Sequence, residues 1–174
     1  MSDEKTHIIS AIVENKPGVL YNVANLFRRR GFNIESISVG PTEQVDLARM
    51  TVTVKGDEKT VEQVVKQLNK LIDVVKVSRL DPENIVTREM ALIKVYASET
   101  KARSDIMNYV DVFRGRIVDI SPESLMVEIT GGSDKINAFV DLMKPFSIKE
   151  IARTGITALS RGLKSVRVEN NEGK

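Results

Sequence analysis

The sequence predicts an α+β fold of two ferredoxin-like βαββαβ units in tandem. β-Branched runs of strand length alternate with stretches of helical spacing, in the order strand, helix, strand, strand, helix, strand. That order occurs twice, before and after Asp81-Pro82-Glu83-Asn84. The halves also share local wording. Phe27-Arg28-Arg29-Arg30-Gly31 returns as Phe113-Arg114-Gly115, and Gly56…Lys59…Arg79 returns as Gly132…Lys135…Arg153.

In the first half, residues 7–14 are rich in Ile, Val and Ala and read as a buried strand. Pro17 suits a first helical position. Val19, Val23 and Leu26, with Leu20, Ala24 and Phe27, then recur at helical spacing. Arg28-Arg29-Arg30 suits the negative end of the helix dipole, and Gly31 suits the left-handed residue beyond it. A second strand is expected over 32–39 and a polar turn over 41–46. In 47–54, Met50, Val52 and Val54 alternate with Arg49, Thr51 and Thr53. Gly56-Asp57 opens a helix carrying Val61, Val64, Val65 and Leu68 inward, and 72–80 reads as the fourth strand.

In the second half, strands are expected over 90–97, 116–120, 125–130 and 147–153, with a helix over 99–114. Ser133 is placed to cap the last helix, which carries Ile136, Phe139, Val140 and Met143. The organisation expected is a first domain over 1–80, a linker over 81–88, a second domain over 89–162 and a flexible tail over 163–174.

The chain has 174 residues, enough for one medium domain or two small ones. Hydrophobic residues are 41% and aromatics only 5%, so the cores must be mostly Val, Ile and Leu. The net charge of +2, with both signs interspersed, excludes the basic footprint of a nucleic-acid binder. With no cysteine there is no disulfide, thiolate metal site or cysteine nucleophile. The polar start Met1-Ser2-Asp3-Glu4-Lys5 lacks the apolar core of a signal peptide. No apolar run approaches the ~20 residues that span a bilayer. A soluble cytoplasmic protein is expected, with neither a membrane nor a nucleic-acid partner.

Chemistry-bearing residues are few. His7 is the only histidine and has no clustered carboxylates beside it, so a triad or metal site is not expected. Gly131-Gly132-Ser133 lacks the lysine and spacing of a phosphate loop and reads as a turn and cap. The loop Asn15-Lys16-Pro17-Gly18 is different. A helix start offers unpaired N–H groups to a carboxylate, Gly18 lets a ligand approach the backbone, and the Asn15 amide both donates and accepts. That combination suits a small zwitterion such as a free amino acid. The plainer reading is a tight strand-to-helix turn. Asn33 points opposite to Phe32 and Ile34, either to hold a ligand ammonium where another subunit sits or simply as an exposed polar residue.

Two other functions on a βαββαβ frame lack their residues. An RNA-binding sheet needs stacking aromatics, and Ile8–Val13 and Leu47–Val54 contain none. A phosphate-holding enzyme loop of the acylphosphatase kind needs an arginine, absent from Asn15-Lys16-Pro17-Gly18.

Glu14-Asn15-Lys16-Pro17-Gly18-Val19-Leu20, then Leu26-Phe27 and Arg30-Gly31-Phe32-Asn33-Ile34-Glu35-Ser36, resembles the ACT domain of acetolactate (acetohydroxyacid) synthase small subunits. The resemblance continues through Arg49-Met50-Thr51, Gly56-Asp57-Glu58-Lys59, Arg88-Glu89-Met90, Phe113-Arg114-Gly115 and Ile151-Ala152-Arg153-Thr154-Gly155 to Leu159-Ser160-Arg161-Gly162. It implies an ACT domain over 1–80 and the family's C-terminal ferredoxin-like domain over 89–162. It further implies a non-catalytic, homodimeric regulatory subunit. Such a subunit binds the catalytic large subunit, raises its activity and confers feedback inhibition by a branched-chain amino acid, valine foremost. Thiamine diphosphate, Mg and FAD would belong to the catalytic partner and no cofactor to this chain. Carried over by motif, Asn15 and Gly18 with the backbone of Val19 and Leu20 take the effector carboxylate, Pro17 being a permitted variant of the loop. Asn33 and Ile34 of the facing subunit complete the site. A free-standing ACT-type amino-acid sensor of another metabolic enzyme would use the same loop chemistry.

Overall fold

Strand β1 (Lys5–Glu14) is apolar on both faces, and the first half of the molecule is arranged around it. The computed structural model describes residues 5–166. They form two compact units. The first runs to Val86 and resumes at Ile156; the second is Thr87–Gly155.

The first unit contains β1, α1 (Val19–Arg30), β2 (Ser36–Pro41), β3 (Leu47–Gly56), α2 (Glu58–Leu68) and β4 (Val74–Arg79). The strands form one antiparallel sheet in the order β2-β3-β1-β4. The βαββαβ order is therefore realised. Ile9, Ala11 and Val13 of β1 and Met50, Val52 and Val54 of β3 pack with Val19, Val23 and Phe27 of α1 and Val61, Val64 and Leu68 of α2. Helix α1 ends at Gly31 (φ 68°), with the Phe32 N–H donating to the Phe27 carbonyl at 3.0 Å. Asp57 caps α2, accepting from the Thr60 N–H at 2.8 Å, and hydrogen bonding to the Thr60 side chain first and to this N–H second holds its carboxyl below the usual range.

The second unit repeats the plan with β5 (Ile85–Tyr96), α3 (Thr100–Val112), β6 (Arg116–Ile120), β7 (Ser124–Gly131), α4 (Ser133–Met143) and β8 (Ile148–Arg153). The sheet order is β6-β7-β5-β8. Its core joins Ala91, Ile93 and Val95 to Val127, Ile129, Ile106, Ile136 and Phe139. The repeat is offset by one residue from the wording of the sequence. Gly131, not Gly132, ends β7 as Gly56 ends β3, and a side chain at either would strike the residue four positions on, Lys135 or Thr60. At the other helix end, Arg114 (φ 52°) takes the left-handed position that Gly31 takes in the first unit. The Gly115 N–H closes that turn onto the Val110 carbonyl at 2.8 Å.

Several expectations are corrected. Pro17 lies before the helix cap, which is Gly18, so it shapes the turn and not the first helical position. Ser133 is the first helical residue with Gly132 as cap; its hydroxyl donates instead to the buried Glu89 carboxylate at 3.0 Å. Strand β2 starts at Ser36, leaving Asn33 in the connection before it, because hydrogen bonding to β3 begins only at the Glu35 N–H. The supposed linker is a turn over Pro82–Asn84 followed by the first residues of β5.

The largest correction concerns the C-terminal boundary. Residues 156–166, expected to be divided between the second domain and a frayed tail, pack on the first unit. Ala158 and Val166 are buried with Ile12 and Leu80, flanked by Ile8, Leu47, Ile85 and Ile156. Strand β9 (Thr157–Ser160) lies in this stretch, and the Arg161 N–H just beyond it donates to the Asn84 carbonyl at 2.8 Å. The Ile156 N–H reaches the Ser36 hydroxyl at 3.4 Å, and Arg49 donates to the Ala158 carbonyl at 3.0 Å. The cause is the apolar second face of β1. Helices cover Ile9, Ala11 and Val13, so Ile8 and Ile12 need another cover. The remainder of the expected tail, 167–174, lies outside the described residues.

Ending the chain at Gly155 is therefore expected to destabilise the first unit. Ile12 and Leu80 each lose burial worth up to about 1.5–3 kcal/mol. Thermal unfolding of the shortened chain should show a lower midpoint and increased binding of a hydrophobic dye. An unchanged midpoint would show that 156–166 contributes no cover.

Candidate functional site

The β1–α1 loop is held from two sides. The Asn15 N–H donates to the Asp46 carbonyl at 2.8 Å, and the Glu14 N–H donates to the Asp73 carbonyl at 2.9 Å. Lys16 adds a side-chain clamp. Its ammonium meets Glu14 and, at 2.8 Å, Asp73, whose other oxygen accepts from the Asn22 amide at 2.7 Å. These bonds raise the Lys16 ammonium above its ordinary range and lower the Asp73 carboxyl, hydrogen bonding to Lys16 being the first cause for Asp73. The lowered Asp73 fixes the sign of the pH effect. The clamp's contribution is full above the ordinary aspartate range and is lost as pH falls through the lowered value.

The clamp sets the approach to α1. Gly18 caps this helix in the left-handed region at φ 90°. There is no side-chain cap and no acidic residue in the first turn. The first-turn N–H groups and the positive end of the dipole are thus left to solvent or a ligand. A Cβ at Gly18 would meet no protein atom within 4 Å, so the space beside it is open and the φ angle alone favours glycine. Val19 is buried and anchors the turn, whereas Leu20 is 51% exposed. Asn15 and Pro17 are exposed.

The residues expected at the effector site fall into two groups. Asn15, Pro17, Gly18, Val19 and Leu20 form the loop and helix start at one end of the sheet. Asn33 and Ile34 belong to the other end. In register, Glu14 faces Leu47 on β3, while Ser36 faces Thr53. Those levels are six residues, about 20 Å, apart along β3. Asn33 is exposed and donates to Glu35 at 2.7 Å, and Glu35 lies 3.5 Å from the Lys55 ammonium. Phe32 and Ile34 pack against the core on either side of it, so the predicted alternation holds outside a strand. Within one chain the two asparagines do not meet.

His7 is buried, and its Nε2 donates to the Gly56 carbonyl at 3.0 Å, a structural bond that closes the β1–β3 pairing. The arginine run at the end of α1 sits in its last turn, as dipole complementarity predicts. Among the described residues no cluster of His, Cys, Asp and Glu is placed to hold a metal ion. Among the same residues no helix is long and apolar enough to cross a membrane. The sequence reading missed Asp73 and Asn22, because Asp73, which bonds both Lys16 and Asn22, lies more than fifty residues on in the chain.

Comparison with known proteins identifies the family. Residues 9–76 match the model of the AHAS small subunit-like ACT domain, and residues 88–162 match that of the small subunit of acetolactate synthase. A probable acetolactate synthase small subunit of Methanothermobacter thermautotrophicus is 57% identical over 161 residues, covering 92% of this chain and 96% of that one. The acetolactate synthase small subunit of Aquifex aeolicus is 48% identical, with 97% of this chain and 87% of that one covered. The crystal structure of the acetolactate synthase small subunit from Thermotoga maritima superposes with a TM-score of 0.85 at 52% identity, covering 91% of this chain and 98% of that one. With both halves matched and relatives aligned over nearly their whole lengths, the chain belongs to the acetolactate synthase small-subunit family.

Proposed function

We propose that this chain is a dimeric regulatory subunit that docks on the catalytic large subunit of acetolactate synthase. In that role it raises the partner's activity and makes it sensitive to a branched-chain amino acid, valine in the first place. Family membership supports the regulatory role and the catalytic partner. The effector site is the one that the family resemblance implies. One observation supports it: the Asn15 and Asn33 groups lie at opposite ends of one sheet that has β2 as an edge strand.

Strand β2 has β3 on one side, and Val39 is 48% exposed along its length. Two copies paired antiparallel through β2 about a two-fold axis would form one continuous sheet. The start of one β2 then lies beside the end of the other. That brings Asn33 and Ile34 of one subunit to the end of the sheet where its partner carries Asn15 and Gly18. The α1 N–H groups and the Asn15 amide take the effector carboxylate. The Asn33 amide takes the ammonium through its carbonyl oxygen, and Ile34 and Leu20 offer apolar surface to a branched side chain. Each dimer would have two such sites, each needing both chains.

Gly18→Asp is expected to remove feedback inhibition while leaving activation of the catalytic subunit in place. An aspartate side chain enters the open space beside the helix start, repels the effector carboxylate and competes for its N–H donors. Loss of one charge-assisted hydrogen bond costs roughly 1.5–3 kcal/mol, weakening effector binding about 10- to 100-fold. Reconstituted synthase activity against valine, leucine and isoleucine measures it. Inhibition at wild-type concentrations would place the effector elsewhere.

The shared site makes a sharper prediction. Asn15→Ala and Asn33→Ala chains should each bind valine weakly alone. When they are refolded together in equal amounts, about half the dimers are mixed and each mixed dimer has one intact site, so about a quarter of the wild-type sites should return. Calorimetric titration of the mixture counts them. No recovery would mean that each site is built within one chain. The isolated chain, freed of catalytic subunit, is expected to convert no pyruvate; turnover would end the regulatory reading.

A further inference from the structure

The face of the first unit's sheet opposite its helices holds a cleft of about 600 Å³ that the effector site does not use. One wall is the turn after β2. It is internally bonded, with the Thr42 N–H on the Leu47 carbonyl and the Leu47 N–H on the Gln44 carbonyl, both at 3.0 Å. The other wall is the returning C-terminal segment, fixed to the sheet by the Arg49–Ala158 bond. The cleft is thus formed without a ligand, and its volume lies in the range of small-molecule sites.

Its lining is divided by chemistry. Arg49, Lys164 and Ser160 supply polar hydrogen, Glu43 supplies a carboxylate that still leaves the two cations one positive charge in excess, and Ile12, Leu47 and Val166 supply apolar surface. Arg49 is the telling member. Its guanidinium is partly buried at a cost that lowers its proton affinity, with Glu43 opposing that effect. One Nη donates to the Ala158 carbonyl and the Nε is enclosed by protein, so the guanidinium can meet a ligand only through its Nη hydrogens. A guanidinium in a half-apolar cleft whose lining also carries an ammonium and a hydroxyl can receive a carboxylate. The apolar side of the lining favours an organic acid over inorganic phosphate, and the cleft is formed by residues outside the Asn15 loop.

We propose that this cleft binds a small organic carboxylate with an aliphatic body, at a site separate from the effector loop. The Arg49 Nη hydrogens and the Lys164 ammonium receive the carboxylate, the Ser160 hydroxyl adds a donor, and Ile12, Leu47 and Val166 receive the hydrocarbon. The ligand lacks any need for an ammonium group. This distinguishes it from the amino acid proposed for the other site.

The test is calorimetric titration of the full chain with 3-methylbutanoate. Wild-type and Gly18→Asp chains should bind it alike. Arg49→Gln and Lys164→Gln should bind it about tenfold more weakly or worse, for want of a charge-assisted bond. Lys164 is exposed, so its substitution tests the site even if the Arg49 variant folds poorly. Weaker binding in either folded variant supports the proposal. Four outcomes overturn it: no binding to the wild-type chain, unchanged affinity in both variants, loss of binding in Gly18→Asp, or tighter binding of inorganic phosphate than of 3-methylbutanoate.

Discussion

The pairing of β1 with β3 is the constraint on which the first unit depends. It runs without a break from Lys5 opposite Gly56 to Glu14 opposite Leu47. This register decides which side chains face the helices and which face the other way, since a slip of one residue would exchange the two faces. It buries Ile9, Ala11, Val13, Met50, Val52 and Val54 beneath α1 and α2. It also fixes the ends of the sheet, and so sets the Asn15 loop and the Asn33 connection about 20 Å apart. The buried His7 bond to the Gly56 carbonyl secures the far end of that ladder.

The other face of the same strands explains why the C-terminus returns. An antiparallel sheet covered by helices on one side usually shows water a polar second face. Here Ile8 and Ile12 alternate with the helix-facing residues, and neither suits water. The segment 156–166 covers them, with Ala158 and Val166 as its buried contacts. A family boundary at residue 162 and a compact unit that ends at Gly155 are therefore both correct. One follows common descent of the sequence, the other the burial of apolar surface. The cleft beside Arg49 results from this return, because one of its walls is made by it.

The two units show how one plan tolerates different local solutions. Gly31 relieves the left-handed turn after α1, yet Arg114 adopts the same turn after α3. Gly115 is needed there for another reason: a Cβ would come within 3.1 Å of the Glu128 carbonyl oxygen. Asp57 caps α2 with its carboxylate, while Gly132 begins α4 without a side-chain bond. The glycine-rich stretches look alike in the sequence because both serve the strand-to-helix passage, although the equivalent residues are one position apart.

Periodicity, turn residues and repeated wording by themselves determined the α+β class, both βαββαβ units and most of the helical cores. These follow from local rules: side chains two apart share a strand face, and those three or four apart share a helix face. The Asn15–Leu20 loop could be read as a strand-to-helix passage for the same reason, although the helix starts at Val19 behind a Gly18 cap and not at Pro17. Only the tertiary structure decided what joins distant residues. It set Lys16 and Asn22 on Asp73, put Asn15 and Asn33 at opposite ends of a sheet, and returned 156–166 to cover β1. The one trace of that cover in the sequence is the apolar character of both faces of β1. A buried face states that it needs a partner, but only packing in three dimensions selects which segment supplies it.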